Sequence, residues 1–122
     1  MQPLNGLQFS REWVAAWNAR DVEAVLAHFH DDVVFVSPLA QKIGFASDGT
    51  VRGKDALRRY WRAALAHNPA LRFTLKDVFA GVDTIAILFT NQDGVDRIEA
   101  LRFRDNLVVE GLGAFIPKHL GD

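Results

Sequence analysis

The chain has 122 residues, with 14 Lys and Arg against 15 Asp and Glu, no cysteine, and a hydrophobic fraction of 49%. A chain of this length removes roughly 65% of its unfolded surface from water on folding, so a single domain over residues 1–122 needs no disulfide or structural metal. The absence of cysteine excludes disulfide scaffolds, zinc fingers and thiol nucleophiles.

The charge and hydropathy of the chain restrict the classes of partner that it can bind. A net charge of -1, a pI near 6.4 and the lack of a Lys/Arg run do not provide the positive field that nucleic acid or an anionic membrane attracts. No apolar stretch approaches the ~20 residues of a membrane span, and the first six residues have no basic or hydrophobic region of a signal peptide. We therefore expect a cytoplasmic protein that binds a small molecule.

Helical periodicity characterises the first 30 residues. Phe9, Trp13 and Trp17 recur at every fourth position and predict a first helix. Asp21 is a candidate N-cap for a second short helix, which we expect to end at Asp31-Asp32. The buried face of that second helix has the spacing i, i+3, i+4, i+7 and comprises Val22, Val25, Leu26 and Phe29.

The sequence of residues 33–69 predicts a strand, a loop and a third helix. The run from Val33 to Ser37 is β-branched and aromatic, and Pro38 prevents its continuation as a central strand. Residues 39–53 have no sustained period and contain three glycines, which predicts a long loop or a loose hairpin. The third helix ends before Pro69. Its apolar face comprises Leu57, Tyr60, Trp61, Ala64 and Leu65.

The second half of the chain changes to a period of two. Four strand-like runs separated by short turns cover residues 72–79, 84–90, 95–104 and 107–116. Helices followed by hairpin-linked strands predict an α+β fold, with N-terminal helices packed on one face of a curved, mostly antiparallel sheet. Strand alternation groups four side chains of the third run on one face: Arg97, Glu99, Leu101 and Phe103.

Glu99 is the one carboxylate on this otherwise largely apolar face. If the helices cover the face, desolvation should raise the pKa of Glu99, and a protonated carboxylic acid can donate a proton or a hydrogen bond near neutral pH. Two other interpretations stay open. Arg97 could pair with Glu99 as a structural ion pair, or the face could lie in solvent.

The aromatic residues and histidines give weaker indications of a functional site than Glu99 does. Trp13, Tyr60 and Trp61 fit core and pocket positions equally well, because each lies on a helix face that meets the sheet and the polar donor of each needs a partner when buried. No two histidines are spaced as metal ligands, and no serine has an evident His–Asp partner. We therefore predict no metal site and no cofactor.

Five segments of the chain resemble the NTF2-like superfamily, most closely its SnoaL-like and ketosteroid-isomerase-like branch: Trp13 to Asp21, Phe29 to Phe35, Ser37-Pro38, Gly53 to Leu57, and Tyr60-Trp61. The resemblance covers nearly the whole chain, from about Phe9 to Ile116. It implies a conical α+β barrel that encloses one deep, mainly apolar pocket. It implies no single function, because the superfamily includes isomerases, cyclases, dehydratases, epoxide hydrolases and proteins that only bind.

The catalytic match to ketosteroid isomerases is partial. Ser37 precedes Pro38 where those enzymes carry an Asp general base, and Trp13 stands where they carry an oxyanion-hole Tyr. Their second oxyanion donor, a protonated Asp, aligns with Glu99. Without the Asp base, the resemblance does not support steroid isomerisation by that mechanism.

A second resemblance is to limonene-epoxide hydrolases. Arg97-Ile98-Glu99 looks like the Arg-x-Asp of those enzymes. Their second acid, on the following strand, has no counterpart in the stretch from Glu110 to Phe115, because alternation places Glu110 on a different face from Gly111 and Gly113. The chain therefore matches only part of that site.

We predict a pocket for a small hydrophobic molecule that bears a carbonyl, hydroxyl or epoxide oxygen. Glu99 is the expected proton donor or acceptor, and Trp13 and Tyr60 are the expected hydrogen-bond donors. Further ligand contacts are expected from Trp17, Phe35, Ser37, Trp61, Arg97, Leu101 and Phe103. The chemistry would be that of a general acid–base isomerase, cyclase or hydrolase; the alternative is a non-catalytic binding or accessory protein.

The opposite sheet face predicts self-association. We expect an outward apolar surface formed by Ile85, Ile87, Phe89, Ile98 and Ala100. Such a surface is larger than a monomer normally exposes, so we predict a homodimer through the sheet, as the family resemblance also implies.

Overall fold

The computed structural model describes residues 5–117. It contains helices α1 (Gly6–Asn18), α2 (Val22–Leu26), α3 (Pro38–Lys42) and α4 (Lys54–His67), and strands β1 (Phe29–Val36), β2 (Thr50–Arg52), β3 (Thr74–Ala80), β4 (Thr84–Thr90), β5 (Asp96–Arg104) and β6 (Leu107–Phe115). The strands form one curved, unclosed sheet in the order β2-β1-β6-β5-β4-β3. All neighbouring strands are antiparallel except the parallel pair β1 and β6. The α+β prediction is confirmed.

Local sequence signals explain where the helices begin. The side chain of Asn5 accepts a hydrogen bond from the Gln8 amide at the start of α1, and Asp21 accepts one from the Ala24 amide at the start of α2, as predicted. Pro38 occupies the first turn of α3, where its missing N–H costs nothing. Gly53, with φ of 87°, provides the left-handed backbone from which α4 begins.

Two boundaries in the first half differ from the prediction. The second helix ends at Leu26, and Phe29 to Asp32 belong to β1 instead. Phe29 pairs with Val108 in the parallel β1–β6 ladder and is only 1% exposed, so the strand buries the apolar side chain that helical spacing had also explained. The loop predicted over 39–53 holds α3 and β2, and β2 pairs with β1 as the loose hairpin that was the alternative.

The predicted faces of β5 are confirmed, but those of β4 are wrong. Leu101 and Phe103 are buried on the concave face, and Ile98 is 40% exposed on the convex face. Ile85, Ile87 and Phe89, expected outside, are buried. The reason is register: they pair with Leu101, Glu99 and Arg97, and paired residues in an antiparallel sheet project to the same face.

The helices cover the concave face of the sheet. α1 packs against β3, and α4 packs against β1 and β2. Trp17 and Trp61 meet edge to face between these two helices, with ring centroids 5.0 Å apart, and Trp61 also contacts Phe29 at 5.1 Å. Within residues 5–117, no helix combines the length and the apolar character needed to cross a bilayer.

Candidate functional site

A cavity of about 60 Å³ lies between the helices and the concave sheet face. Eight of the ten predicted site residues line it: Trp13, Trp17, Phe35, Ser37, Tyr60, Trp61, Arg97 and Glu99. Leu101 and Phe103, predicted as walls, do not line it. Leu101 is fully buried in the packed core, and Phe103 packs edge to face against Phe9 with centroids 5.2 Å apart.

Aromatic rings form most of the cavity wall. Trp13 stacks on Phe73 with centroids 5.6 Å apart, and Phe89 meets Trp13 edge to face at 5.1 Å. On the other side, Phe35 contacts Trp61 at 5.7 Å. Edge-to-face and stacked contacts of this kind hold the wall in shape.

Glu99 projects from β5 into this apolar wall. The residue is half-buried and lines the cavity. Burial raises the pKa of Glu99 to about 8, and the nearby positive charge of Arg97 lowers it by a smaller amount. No salt bridge joins the two side chains, so the carboxyl group is not held in a structural ion pair, and its raised pKa favours the protonated form at pH 7.

Arg97 lies on the same strand, next to Glu99 along the concave face. Its guanidinium carbon lies 4.1 Å from the ring centroid of Phe115, a cation–π contact. The Nε atom is buried and has no hydrogen-bond partner among residues 5–117. Burial lowers the pKa of Arg97, while Glu99, Tyr60 and Asp93 act in the opposite direction, and the side chain stays cationic.

Ser37 and Tyr60 form a buried hydroxyl pair in the cavity wall. The Ser37 Oγ lies 2.8 Å from the Tyr60 Oη, and either oxygen can be the donor. The Ser37 amide also donates to the Gly49 carbonyl oxygen at 2.8 Å, which fixes the end of β1. Burial raises the pKa of Tyr60 to about 12 against the smaller, lowering effect of the Ser37 hydrogen bond, so Tyr60 remains a neutral donor.

Gly113 provides space between these polar groups. It pairs with Glu99 across the β5–β6 ladder. A methyl group placed on Gly113 would lie 3.7 Å from the Glu99 Oε1 and 3.9 Å from the Ser37 Oγ. The absent side chain therefore leaves the acid and the hydroxyl pair facing a common volume.

Two indole N–H groups add further donors to the cavity wall. The Nε1 atoms of Trp13 and Trp17 are buried and have no hydrogen-bond partner within the described part of the chain. Both residues line the cavity. A buried N–H without a partner carries a desolvation cost that a ligand oxygen can remove.

Sequence reasoning missed several lining residues: Leu39, Ala64, Asn68, Leu71, Phe73, Phe89, Ile98, Gly113 and Phe115. Ala64 and Asn68 follow Tyr60 at intervals of four on α4, so helical spacing could have found them. Phe89 and Phe115 flank Arg97 only through strand pairing, which local periodicity does not reveal.

The described residues offer no obvious metal ligand set. Over residues 5–117, no group of three His, Asp or Glu side chains lies close enough together to hold a metal ion. Among the described residues, the cavity lining includes one carboxyl group, one guanidinium, two hydroxyls, one carboxamide and three indoles, a set that can bind oxygen atoms and move protons.

The chain belongs to the SnoaL-like domain family, whose profile matches residues 10–111. It is therefore a member of the NTF2-like superfamily, as its sequence resemblance predicted. The comparison with curated proteins finds no match.

Solved structures agree with this placement. A SnoaL-like protein of unknown function from Burkholderia thailandensis is 38% identical, with a TM-score of 0.84 over 91% of this chain and 93% of its own. An NTF2-like protein of unknown function from Burkholderia pseudomallei is 22% identical, with a TM-score of 0.78 over 97% and 95%. TerC, co-crystallized with polyporic acid, is 17% identical, with a TM-score of 0.77 over 95% of each chain.

Proposed function

We propose that the protein binds a small hydrophobic molecule bearing an oxygen atom and carries out general acid–base chemistry on it through Glu99. The observation that carries the proposal is a half-buried carboxyl group without a salt bridge, which lines an aromatic-walled cavity beside two hydroxyl groups. A carboxyl group with a pKa of about 8 exchanges its proton close to neutral pH, as a catalytic acid or base requires.

Each polar group has a role in this proposal. Ionised Glu99 removes a proton from the carbon next to a carbonyl group and becomes the neutral acid. The enolate oxygen that results accepts a hydrogen bond from Tyr60 or from an indole N–H. In an enolate conjugated with a further C=C bond, return of the proton from Glu99 to the far end of the conjugated system gives an isomer. After Glu99 has exchanged its proton with solvent, return to the original carbon gives hydrogen exchange.

The cavity size limits the ligand. About 60 Å³ is less than the roughly 150 Å³ of an apolar protein cavity that accepts benzene. A molecule with one ring therefore binds only if the wall moves, and larger molecules need a larger movement. The relative co-crystallized with polyporic acid supports small-molecule binding by the fold without identifying the ligand of this chain.

A second candidate function is ligand binding without catalysis. Its support is that Glu99 is the only carboxylate among the described residues lining the cavity, and that Ser37 stands where ketosteroid isomerases carry their general base. Under this alternative, Glu99 donates a hydrogen bond to the ligand and no proton leaves the bound molecule.

Cyclopentanone in D₂O separates the two functions. Its α-hydrogens exchange with solvent when a base removes them, and ¹H NMR follows their loss without knowledge of the natural substrate. We expect the wild type to accelerate exchange, and Glu99→Gln to reduce the protein-dependent rate by about 100-fold or more, because an amide cannot accept the proton. Glu12→Gln, an exposed change on α1, is the matched control and should keep the full rate.

Three other results would revise the proposal. Binding of cyclopentanone to the cavity without faster exchange favours the non-catalytic function. Equal rates for wild type and Glu99→Gln remove Glu99 from the chemistry. Absence of both binding and exchange contradicts a pocket for small ketones.

We also propose that the protein forms a homodimer through the convex sheet face. Val36, Ile98 and Leu112 are 43%, 40% and 47% exposed there, a row of apolar side chains across three strands. Two charged residues within this face, Arg102 and Glu110, already pair with each other, which lowers the cost of covering them. A self-complementary face of this kind suits a twofold dimer.

Sedimentation velocity tests the dimer. The wild type should sediment as a dimer at micromolar concentration, and Leu112→Lys should sediment as a monomer because the contact would bury an unpaired charge. Val82→Lys, a change at a 98% exposed site in the turn between β3 and β4, should leave the dimer intact. A wild type that stays monomeric at high micromolar concentration would contradict the proposal.

A further inference from the structure

The guanidinium of Arg97 is a charged group that the described residues do not neutralise. It lines the aromatic cavity, and its buried Nε atom has no hydrogen-bond partner among residues 5–117. The nearest acid along its own strand face, Glu99, forms no salt bridge with it. A guanidinium in such a site pays a desolvation cost that an anion placed against it would offset.

The position of Phe115 decides which part of Arg97 is available. The ring covers one face of the planar guanidinium, with 4.1 Å between the guanidinium carbon and the ring centroid. Stacking of this kind leaves the N–H groups at the edge of the plane free to donate. The edge of a guanidinium matches the two oxygens of a carboxylate, which accept two parallel hydrogen bonds.

We infer that the ligand is a small apolar or aromatic carboxylate, whose carboxylate pairs with Arg97 and whose hydrocarbon body lies against the aromatic wall. The inference rests on the proposed function, since it assigns a ligand class to the same cavity. It also excludes amines, because Arg97 would repel a protonated amine that the aromatic rings alone would accept.

The charges around Arg97 predict how pH affects binding. Glu99 on the same strand, Tyr60 on α4, and Asp93 in the turn before β5 all act on it. While Glu99 is protonated, it can donate to a ligand oxygen and leaves Arg97 for the carboxylate. Once Glu99 ionises above about pH 8, it repels the ligand carboxylate and attracts Arg97, so the affinity should fall.

Calorimetric titration of benzoate, benzamide and benzylamine tests the ligand class. The three molecules share one ring and differ in charge. At pH 6.5 we expect benzoate to bind at least about tenfold more tightly than benzamide, the difference that a charged hydrogen-bonded pair contributes, and benzylamine not to bind. Raising the pH to 9.5 should weaken benzoate binding more than benzamide binding, because ionised Glu99 repels only the charged ligand.

Two variants test whether Arg97 causes the preference for benzoate and whether Glu99 causes its pH dependence. Arg97→Gln should remove the preference for benzoate over benzamide, while Arg104→Gln, an exposed change on the same strand, should retain it. Glu99→Gln should keep benzoate binding at pH 6.5 and abolish its loss at pH 9.5. The wild-type comparison of benzoate with benzamide tests the inference even if Arg97→Gln fails to fold.

The outcomes separate this inference from the proposed function. Benzamide binding as tightly as benzoate would overturn the carboxylate assignment and leave the cavity as a site for neutral molecules. Failure of all three molecules to bind would contradict both. Benzylamine binding in preference to benzoate would overturn the role of Arg97 and favour a cation site in the aromatic wall.

Discussion

The concave surface of β5 and β6 is packed with side chains at one end, the closed end, and borders the cavity at the other, the open end. Gly111 lies at the closed end and Gly113 at the open end. A methyl group on Gly111 would lie 2.7 Å from the Phe35 ring and 3.1 Å from Leu101, closer than packed atoms approach. A methyl group on Gly113, two residues along the same face, would meet the Glu99 Oε1 at 3.7 Å, an ordinary contact. The missing side chain of Gly111 makes room for the Phe35 ring, whereas Gly113 borders the cavity.

The difference follows from the residues opposite each glycine. At the closed end, Leu101 faces Gly111, and apolar packing fills the space. At the open end, Glu99 faces Gly113 and Arg97 faces Phe115. The polar side chains therefore lie at the end of the surface that is not packed. Desolvation of Glu99 raises the free energy of the folded state, and it occurs at a position where a ligand can contact the carboxyl group.

The largest effect we expect is a pH dependence that belongs to the open end. The folded-state pKa of Glu99 is about 8 against an ordinary 4.5, so the folded chain holds this proton over a range in which the unfolded chain has released it. The free energy of unfolding should therefore fall as pH rises through that range, by at most about 1.4 kcal/mol per pH unit. The stabilisation is fully present below about pH 4.5 and lost as pH passes the folded pKa of about 8.

Urea unfolding of wild type and Glu99→Gln from pH 5 to 9 measures this effect. The difference between the two profiles isolates the contribution of Glu99 from that of the other groups. Glu99→Gln should be close to wild type at the acid end and more stable by a few kcal/mol at pH 9. If the free energy of unfolding depends on pH in the same way for both proteins, Glu99 is solvated. The proposed difference between the open and closed ends would then be wrong.

The second prediction compares the two glycines directly. Gly111→Ala should lower the free energy of unfolding by about 1–3 kcal/mol, because the methyl group forces the Phe35 ring or the strand to move. Gly113→Ala should leave stability unchanged or raise it by up to about 1 kcal/mol, because its methyl group makes only ordinary contacts and the unfolded chain loses conformational freedom. Chemical denaturation of both variants checks the sign of each change.

Ligand titration extends the glycine comparison to the site. Gly113→Ala should weaken the binding of one-ring ligands, because its methyl group occupies the volume between Glu99 and Ser37. If Gly113→Ala unfolds as easily as Gly111→Ala, the open end is packed in solution. If it binds one-ring ligands as well as wild type does, the ligand lies elsewhere.

Sequence reasoning predicted the residues whose positions depend on local periodicity. Helical spacing identified Trp13 and Tyr60, and strand alternation placed Glu99 with Leu101, because each pattern repeats within one element. It misplaced Ile87, because the face of a β4 residue depends on its register with β5, which no single strand specifies.

The site itself was predictable only in part for the same reason. Leu101 was expected in the cavity wall because it shares a face with Glu99, but the ring of Phe35 closes the space beside it. Phe115 and Gly113 enter the site through the β5–β6 pairing, and Phe89 enters through the β4–β5 pairing. The side of the sheet was therefore predictable, and the point at which packing gives way to a cavity was not.

The smallest effect concerns the hydroxyl pair at the open end. Ser37→Ala and Tyr60→Phe each remove one partner of the 2.8 Å hydrogen bond, and each should lower the free energy of unfolding by about 1–2 kcal/mol. The double variant should lose less than the sum, with a coupling of about 1 kcal/mol, since the second change removes an already unpaired group. Urea unfolding of the four proteins completes the cycle. Additive losses would mean that each hydroxyl bonds to water in the cavity instead of to the other, and the open end would then be wet as well as unpacked.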